Sequence, residues 1–179
     1  MRAFVSVNIE DEALKKKIKE IAETIKDKES GISITKEENL HFTLKFLGEI
    51  NEDQKNEIVK NLSKISLPSF DIHIKDLGVF PDFNFVRIIW IGGHSHELKQ
   101  LAEEVDKSSR NIRSDEEFVP HLTIARVKFI KDKEGLKKRL NQFLNLDFGS
   151  YRVRKFYLME STLLPQGPVY KPINEFNLF

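Results

Sequence analysis

Two short tracts, His41-Phe42-Thr43-Leu44-Lys45-Phe46 and His121-Leu122-Thr123-Ile124-Ala125-Arg126, repeat one pattern of histidine, apolar residue, threonine, apolar residue at sites 80 residues apart (121 − 41). In an extended strand alternate side chains share a face. Each tract therefore presents an imidazole beside a hydroxyl, while Phe42, Leu44, Leu122 and Ile124 face a core. Either tract alone reads as an ordinary strand with a histidine at its end. Both together constrain the fold, because two such strands laid side by side build a site of two histidines and two threonines.

The periodicity around the tracts recurs in both halves of the chain. Ala3, Val5, Val7 and Ile9 alternate as in a strand, and Leu14, Ile18, Ile21, Ala22 and Ile25 repeat at helical spacing, which predicts a helix over 11–26. After the first histidine strand, Asn51 and Gln54 have capping-box spacing ahead of Ile58 and Leu62. Phe70 to Phe80 and Val86 to Ile91 read as an antiparallel pair, and Leu98, Leu101 and Val105 mark a helix to about Arg110. Pro120 introduces the second histidine strand, and Leu136, Leu140, Phe143 and Leu144 predict another helix. Strands near Tyr151 to Thr162 and Val169 to Phe176 follow. Strands and helices mix without the regular alternation of a parallel sheet, so the expected class is α+β with two antiparallel sheets and outer helices. The length suits one domain, or two lobes sharing a core, over 1–179.

Composition narrows the function. The chain has no cysteine, which excludes a disulfide framework, a thiol nucleophile and a Cys-type zinc site and favours a cytoplasmic setting. Its apolar runs are too short to span a bilayer, so no membrane partner is expected. Net charge is +1, from 29 basic and 28 acidic residues, so any nucleic-acid contact must be local rather than spread over the surface.

Two histidines suit a reaction in which one proton leaves a nucleophile while another reaches a leaving group, since imidazole titrates near pH ~6.5 and serves as base or acid. Phosphodiester cleavage by water needs those two transfers. Threonine hydroxyls at Thr43 and Thr123 donate to non-bridging phosphate oxygens. This arrangement requires neither metal nor cofactor. Lys45 shares strand parity with His41 and Thr43, so it reaches either toward a phosphate or an RNA backbone, or into water. His73, His94 and His96 read as solvated strand and turn residues rather than metal ligands.

The tract pair resembles the 2H phosphoesterase superfamily, and the chain is similar to its RNA 2′,3′-cyclic phosphodiesterase branch, also called 2′-5′ RNA ligase. Further segments carry the resemblance in order: Arg2 to Val5, Leu77-Gly78-Val79-Phe80-Pro81, Trp90-Ile91-Gly92, Phe118 to Lys128, Leu158 to Ser161, and Gly167 to Tyr170. The resemblance implies a bilobal, pseudo-twofold fold with a central groove. It implies metal-independent opening of RNA 2′,3′-cyclic phosphate ends, tRNA fragments among them, to 2′-phosphates, and 2′-5′ joining in reverse, by a monomer. It assigns His41 as general acid for the departing 3′-oxygen, His121 as base for water, Thr43 and Thr123 as phosphate-binding hydroxyls, and Phe46 and Arg126 as the pair holding the terminal base. Phe46 and Arg126 each lie five residues after their histidine, so strict alternation turns them to the opposite face unless a bulge intervenes. A noncatalytic RNA or nucleotide-binding module is the alternative reading of the same groove.

Overall fold

Why the two histidine strands meet is visible in the order of hydrogen-bonded neighbours. The computed structural model describes residues 1–112 and 117–179. Its elements are β1 (Arg2–Asn8), α1 (Glu12–Ile25), β2 (Ile32–Ile34), a 3-10 turn (Glu37–Asn39), β3 (His41–Glu49), α2 (Glu52–Leu62), β4 (Phe70–Asp82), β5 (Phe85–His94), α3 (His96–Ser108), β6 (His121–Val127), α4 (Lys133–Asn141), β7 (Asp147–Val153), β8 (Lys155–Leu164) and β9 (Gly167–Asn177). The sheet runs β7-β4-β5-β6-β3-β1-β8-β9, with β2 also on β6, and every described pairing is antiparallel. Two antiparallel halves, β6-β5-β4-β7 and β3-β1-β8-β9, mirror each other about a seam between β6 and β3. A single register pair, Phe42 opposite Leu122, joins them.

The helices cover the face opposite the histidines. Phe42, Leu44, Ile89, Ile91, Leu122 and Ile124 point into one core with Ile18, Ile58, Leu98, Leu101 and Leu136. The halves are interlocked. Helix α1 follows β1 but packs on β2 and β6 of the other half, and α3 follows β5 but packs on β3. Each helix starts at a side-chain acceptor: Asp11 for Leu14 N–H, Asn51 for Gln54 N–H, Ser95 for Leu98 N–H and Asp132 for Gly135 N–H. Such caps contribute about 1 kcal/mol each. The Asn51–Gln54 capping box is present in both directions. Among the described residues no helix is long and apolar enough to cross a membrane.

Two boundaries differ from the periodicity. Helix α4 stops at Asn141, short of Phe143 and Leu144. The chain turns there because Asp76 N–H and Leu77 N–H, at a break in the β4–β5 register, donate to the carbonyls of Leu146 and Leu144. The apolar stretch near Tyr151 to Thr162 is two strands: β7 ends at Val153 on β4, and β8 begins at Lys155 and runs on to β1 in the other half. Arg152, Arg154 and Lys155 therefore form no continuous strip; Arg152 meets Asp71, and Lys155 meets Glu10 and Glu175.

Candidate active site

His41 opens β3 and His121 opens β6, so the seam brings the two imidazoles to one face of the sheet, the groove face, near enough for the charge of His121 to act on His41, with Thr43 and Thr123 two residues further along each strand. The local geometry repeats. His41 Nδ1 lies 2.6 Å from the carbonyl of Asn39, and His121 Nδ1 lies 2.7 Å from the carbonyl of Val119. A carbonyl only accepts, so both rings carry their proton on Nδ1, and in the neutral ring Nε2 holds the lone pair. At His41 that nitrogen is 3.0 Å from Thr43 Oγ1, whose hydroxyl donates to it. Asn39 is itself buried and its amide donates to the Pro168 carbonyl at 3.0 Å, tying the turn before His41 to the β8–β9 hairpin.

The surroundings of His41 are aromatic. Phe4 lies 5.0 Å away between centroids and Tyr170 meets the ring edge-on at 5.3 Å and 89°. Burial pushes its pKa down from 6.5 to about 4, against the Asn39 carbonyl that raises it, with the positive charges of His121 and Arg126 adding to the depression. Burial also raises the Tyr170 phenol, which Arg126 and Arg2 counter, so both guanidinium groups reach this side of the groove. His121 sits against Phe80, edge-on at 5.0 Å and 84°, and near Trp90 at 6.4 Å.

Parity along the two strands is broken in the same place. Between β1 and β3, Val5 pairs with Lys45 and Ser6 with Thr43, skipping Leu44. Between β5 and β6, Ile89 pairs with Ala125 and Trp90 with Thr123, skipping Ile124. Each bulge turns two successive residues, Leu44 with Lys45 and Ile124 with Ala125, to the buried side and returns Phe46 and Arg126, both exposed, to the histidine face. Matched bulges thus supply the reversal that the five-residue offset requires.

The same bulge corrects the parity argument for Lys45. Its side chain is only 3% exposed, and Nζ lies 2.7 Å from Asp106 Oδ1 and 3.1 Å from the Ser109 carbonyl at the C-terminal end of α3. A cation is favoured there by the helix dipole and unpaired carbonyls. Lys45 faces away from the groove and reaches neither phosphate nor water. Asn39 carries no signal in the sequence, and Phe4, Phe80 and Trp90, which lie in segments that carry the resemblance, have no site role there, because their places beside the histidines depend on which strands become neighbours. His73 and His94 are held by Asp147 at 2.7 Å and Asp76 at 3.1 Å.

Mirrored antiparallel halves, with an imidazole of fixed tautomer and a hydroxyl on each side of their seam, define a two-histidine phosphoesterase. The chain belongs to the family described as LigT like Phosphoesterase, which matches residues 9–90 and 92–170. A Methanocaldococcus jannaschii protein named RNA 2′,3′-cyclic phosphodiesterase is 41% identical over 177 residues, covering 98% of this chain and 99% of its own. An Aquifex aeolicus protein of the same name is 40% identical, with 91% and 92% covered. The crystal structure of Escherichia coli LigT in apo form shares the fold, with a TM-score of 0.81 at 23% identity over 99% of this chain and 96% of that one.

Proposed function

We propose that this chain opens RNA 2′,3′-cyclic phosphate ends to 2′-phosphates within one two-lobed domain. The observation that carries the reading is the duplicated His-x-Thr strand, with both imidazoles fixed in the same tautomer by a carbonyl two residues upstream. The names of its relatives support the substrate class. With the cyclic phosphate between the rings, His121 takes the proton of an attacking water, the P–O3′ bond breaks opposite it, and His41 protonates the departing 3′-oxygen. Thr43 and Thr123 donate to the non-bridging oxygens as charge redistributes.

His41 is neutral at pH 7 in the free protein, so it takes up from solvent, as the substrate binds, the proton that it delivers. The anionic phosphate raises its affinity for a proton in the dry aromatic setting of Phe4 and Tyr170. Phe46 and Arg126, brought round by the paired bulges, hold the terminal base by stacking and guanidinium contact. The same groups run in reverse when a 5′-hydroxyl replaces water, giving a 2′-5′ junction.

The test is incubation of the purified protein with an oligonucleotide ending in a 2′,3′-cyclic phosphate, with and without EDTA, followed by identification of the end group. A 2′-phosphate formed equally in both is expected. A mainly 3′-phosphate product contradicts the leaving-group assignment, and loss in EDTA with recovery on one divalent metal contradicts the two-histidine chemistry.

A further inference from the structure

The two halves mirror each other in backbone but not in the side chains that floor the groove. Opposite Thr43 across the β1–β3 ladder stands Ser6, buried and followed on β8 by Tyr157; opposite Thr123 across the β5–β6 ladder stands Trp90, followed on β4 by Gly78. Residues paired across a ladder point to the same face, so Trp90 shares the groove face with Thr123. The absence of a side chain at Gly78 is what lets the indole lie down. A Cβ there meets Trp90 ring carbons at 2.2 to 2.6 Å. Phe80 extends the surface, 5.2 Å from Trp90 and 5.0 Å from His121. Both rings are half-buried. Among the described residues, Trp90 Nε1 is the one buried side-chain polar atom without a hydrogen-bond partner. In hydrolysis this half-buried aromatic pair beside His121 has no substrate group to meet, because that side of the phosphate then receives only water; in joining, the nucleoside that carries the 5′-hydroxyl must lie there.

We infer that Phe80 and Trp90 form a second nucleoside subsite, which stacks the base of a 5′-hydroxyl nucleoside so that its 5′-oxygen stands where water stands beside His121. The inference rests on the proposed function. In-line displacement puts entering and leaving oxygens on opposite sides of phosphorus, so the cyclic end's own ribose lies toward His41, Phe46 and Arg126, and the incoming nucleoside lies toward His121, Phe80 and Trp90. In the joining step the 5′-oxygen bonds to phosphorus and its proton passes to His121. The P–O3′ bond breaks and the 3′-oxygen takes a proton from His41, leaving a 2′-5′ diester and a free 3′-hydroxyl with no change of oxidation state. Cleavage of a 2′-5′ junction is the same path reversed.

Two measurements test the subsite. The first compares kcat/KM for cleaving a 2′-5′-linked diadenosine with kcat/KM for opening adenosine 2′,3′-cyclic phosphate, in the wild type, Phe80→Leu and Trp90→Leu. The ratio of the first to the second should fall by about tenfold or more in either folded variant, since only the dinucleotide fills the second subsite. Equal losses on both substrates mean that the rings merely support His121, and overturn the proposal, as does opening of the cyclic phosphate without any cleavage of the dinucleotide. The second uses Trp90 as the chain's single tryptophan. In a His41→Asn protein, 2′-5′ diadenosine should change its emission more than adenosine 2′-phosphate does, and inorganic phosphate least. Equal responses to the dinucleotide and the mononucleotide overturn the subsite. Failure to open the cyclic phosphate at all counts against the phosphodiesterase reading, and the emission comparison then decides the subsite by itself.

Discussion

His41 carries a cost in the fold that its chemistry explains. Its folded pKa of about 4 lies below the 6.5 of an exposed histidine, because the ring is buried and faces the charges of His121 and Arg126. Between those values the unfolded chain binds a proton that the folded one refuses, so stability falls as pH drops from 6.5 toward 4, by on the order of 3 kcal/mol. Denaturant midpoints measured across that window should show the slope, and His41→Asn should flatten it. Ring-proton NMR gives a direct check: His41 should titrate near 4 in the free protein and move well upward when a nucleoside 2′-phosphate fills the groove. A value that stays near 4 with the ligand bound exchanges the roles, leaving His41 as the base. His41→Ala and His121→Ala should each lower kcat/KM by roughly 10²–10⁴-fold with the fold intact. The double variant should lose far less than the product of the two, because the groups act as one unit.

The two histidine strands succeed as elements because each carries a surplus residue three positions after its histidine, Leu44 in β3 and Ile124 in β6; β3 skips a second, Leu47, further along its ladder with β1. Skipping Leu44 and Ile124 returns Phe46 and Arg126 to the groove and drops Lys45 and Ala125 into the interior. Lys45→Met keeps the buried stem and removes the ammonium from Asp106 and the Ser109 carbonyl. It should cost about 1–2 kcal/mol of stability, the lost hydrogen bond dominating because Asp106 stays solvated. It should leave kcat/KM for a cyclic-phosphate end within a few-fold of wild type; a tenfold loss without unfolding places the ammonium in substrate capture after all. Phe46→Ala and Arg126→Ala should instead weaken capture, with stacking worth roughly 1–3 kcal/mol per base. The helices, the strands and the histidine–threonine face were legible in the sequence, because apolar period and cap residues are local signals. The bulges were not, since Leu44 and Ile124 look like any strand leucine or isoleucine and only the neighbouring ladder makes them surplus. For the same reason the break at Arg154 was hidden: Val153 and Phe156 are both core residues, but they serve strands in different halves.

At the scale of the whole molecule, duplication explains why the groove is symmetric in its chemistry and asymmetric in its walls. The seam rests on one register pair and on Phe42, which is fully buried at it and packs against Gly93, so that Phe42→Ala should cost about 3–5 kcal/mol and loosen both histidine strands together. Charge is the other global quantity. With 29 basic against 28 acidic residues the chain has a net charge of only +1, and lysines such as Lys15, Lys55 and Lys107 pair locally with Glu12, Glu52 and Glu104, so the overall charge balance gives RNA little general attraction. On the proposed function, recognition is then expected at the RNA end itself, through Arg126, the histidines and the threonines. Each phosphate neutralised on a single strand contributes about −0.7 to the slope of log affinity against log salt. For one or two local contacts, log kcat/KM should fall with log salt at a slope no steeper than about −1.5. It should also be nearly the same for a cyclic mononucleotide as for a ten-residue oligonucleotide, roughly the span over which a tracking surface adds contacts. A slope near −4, growing with RNA length, points to a phosphate-tracking surface outside the groove and removes end recognition as the basis of specificity.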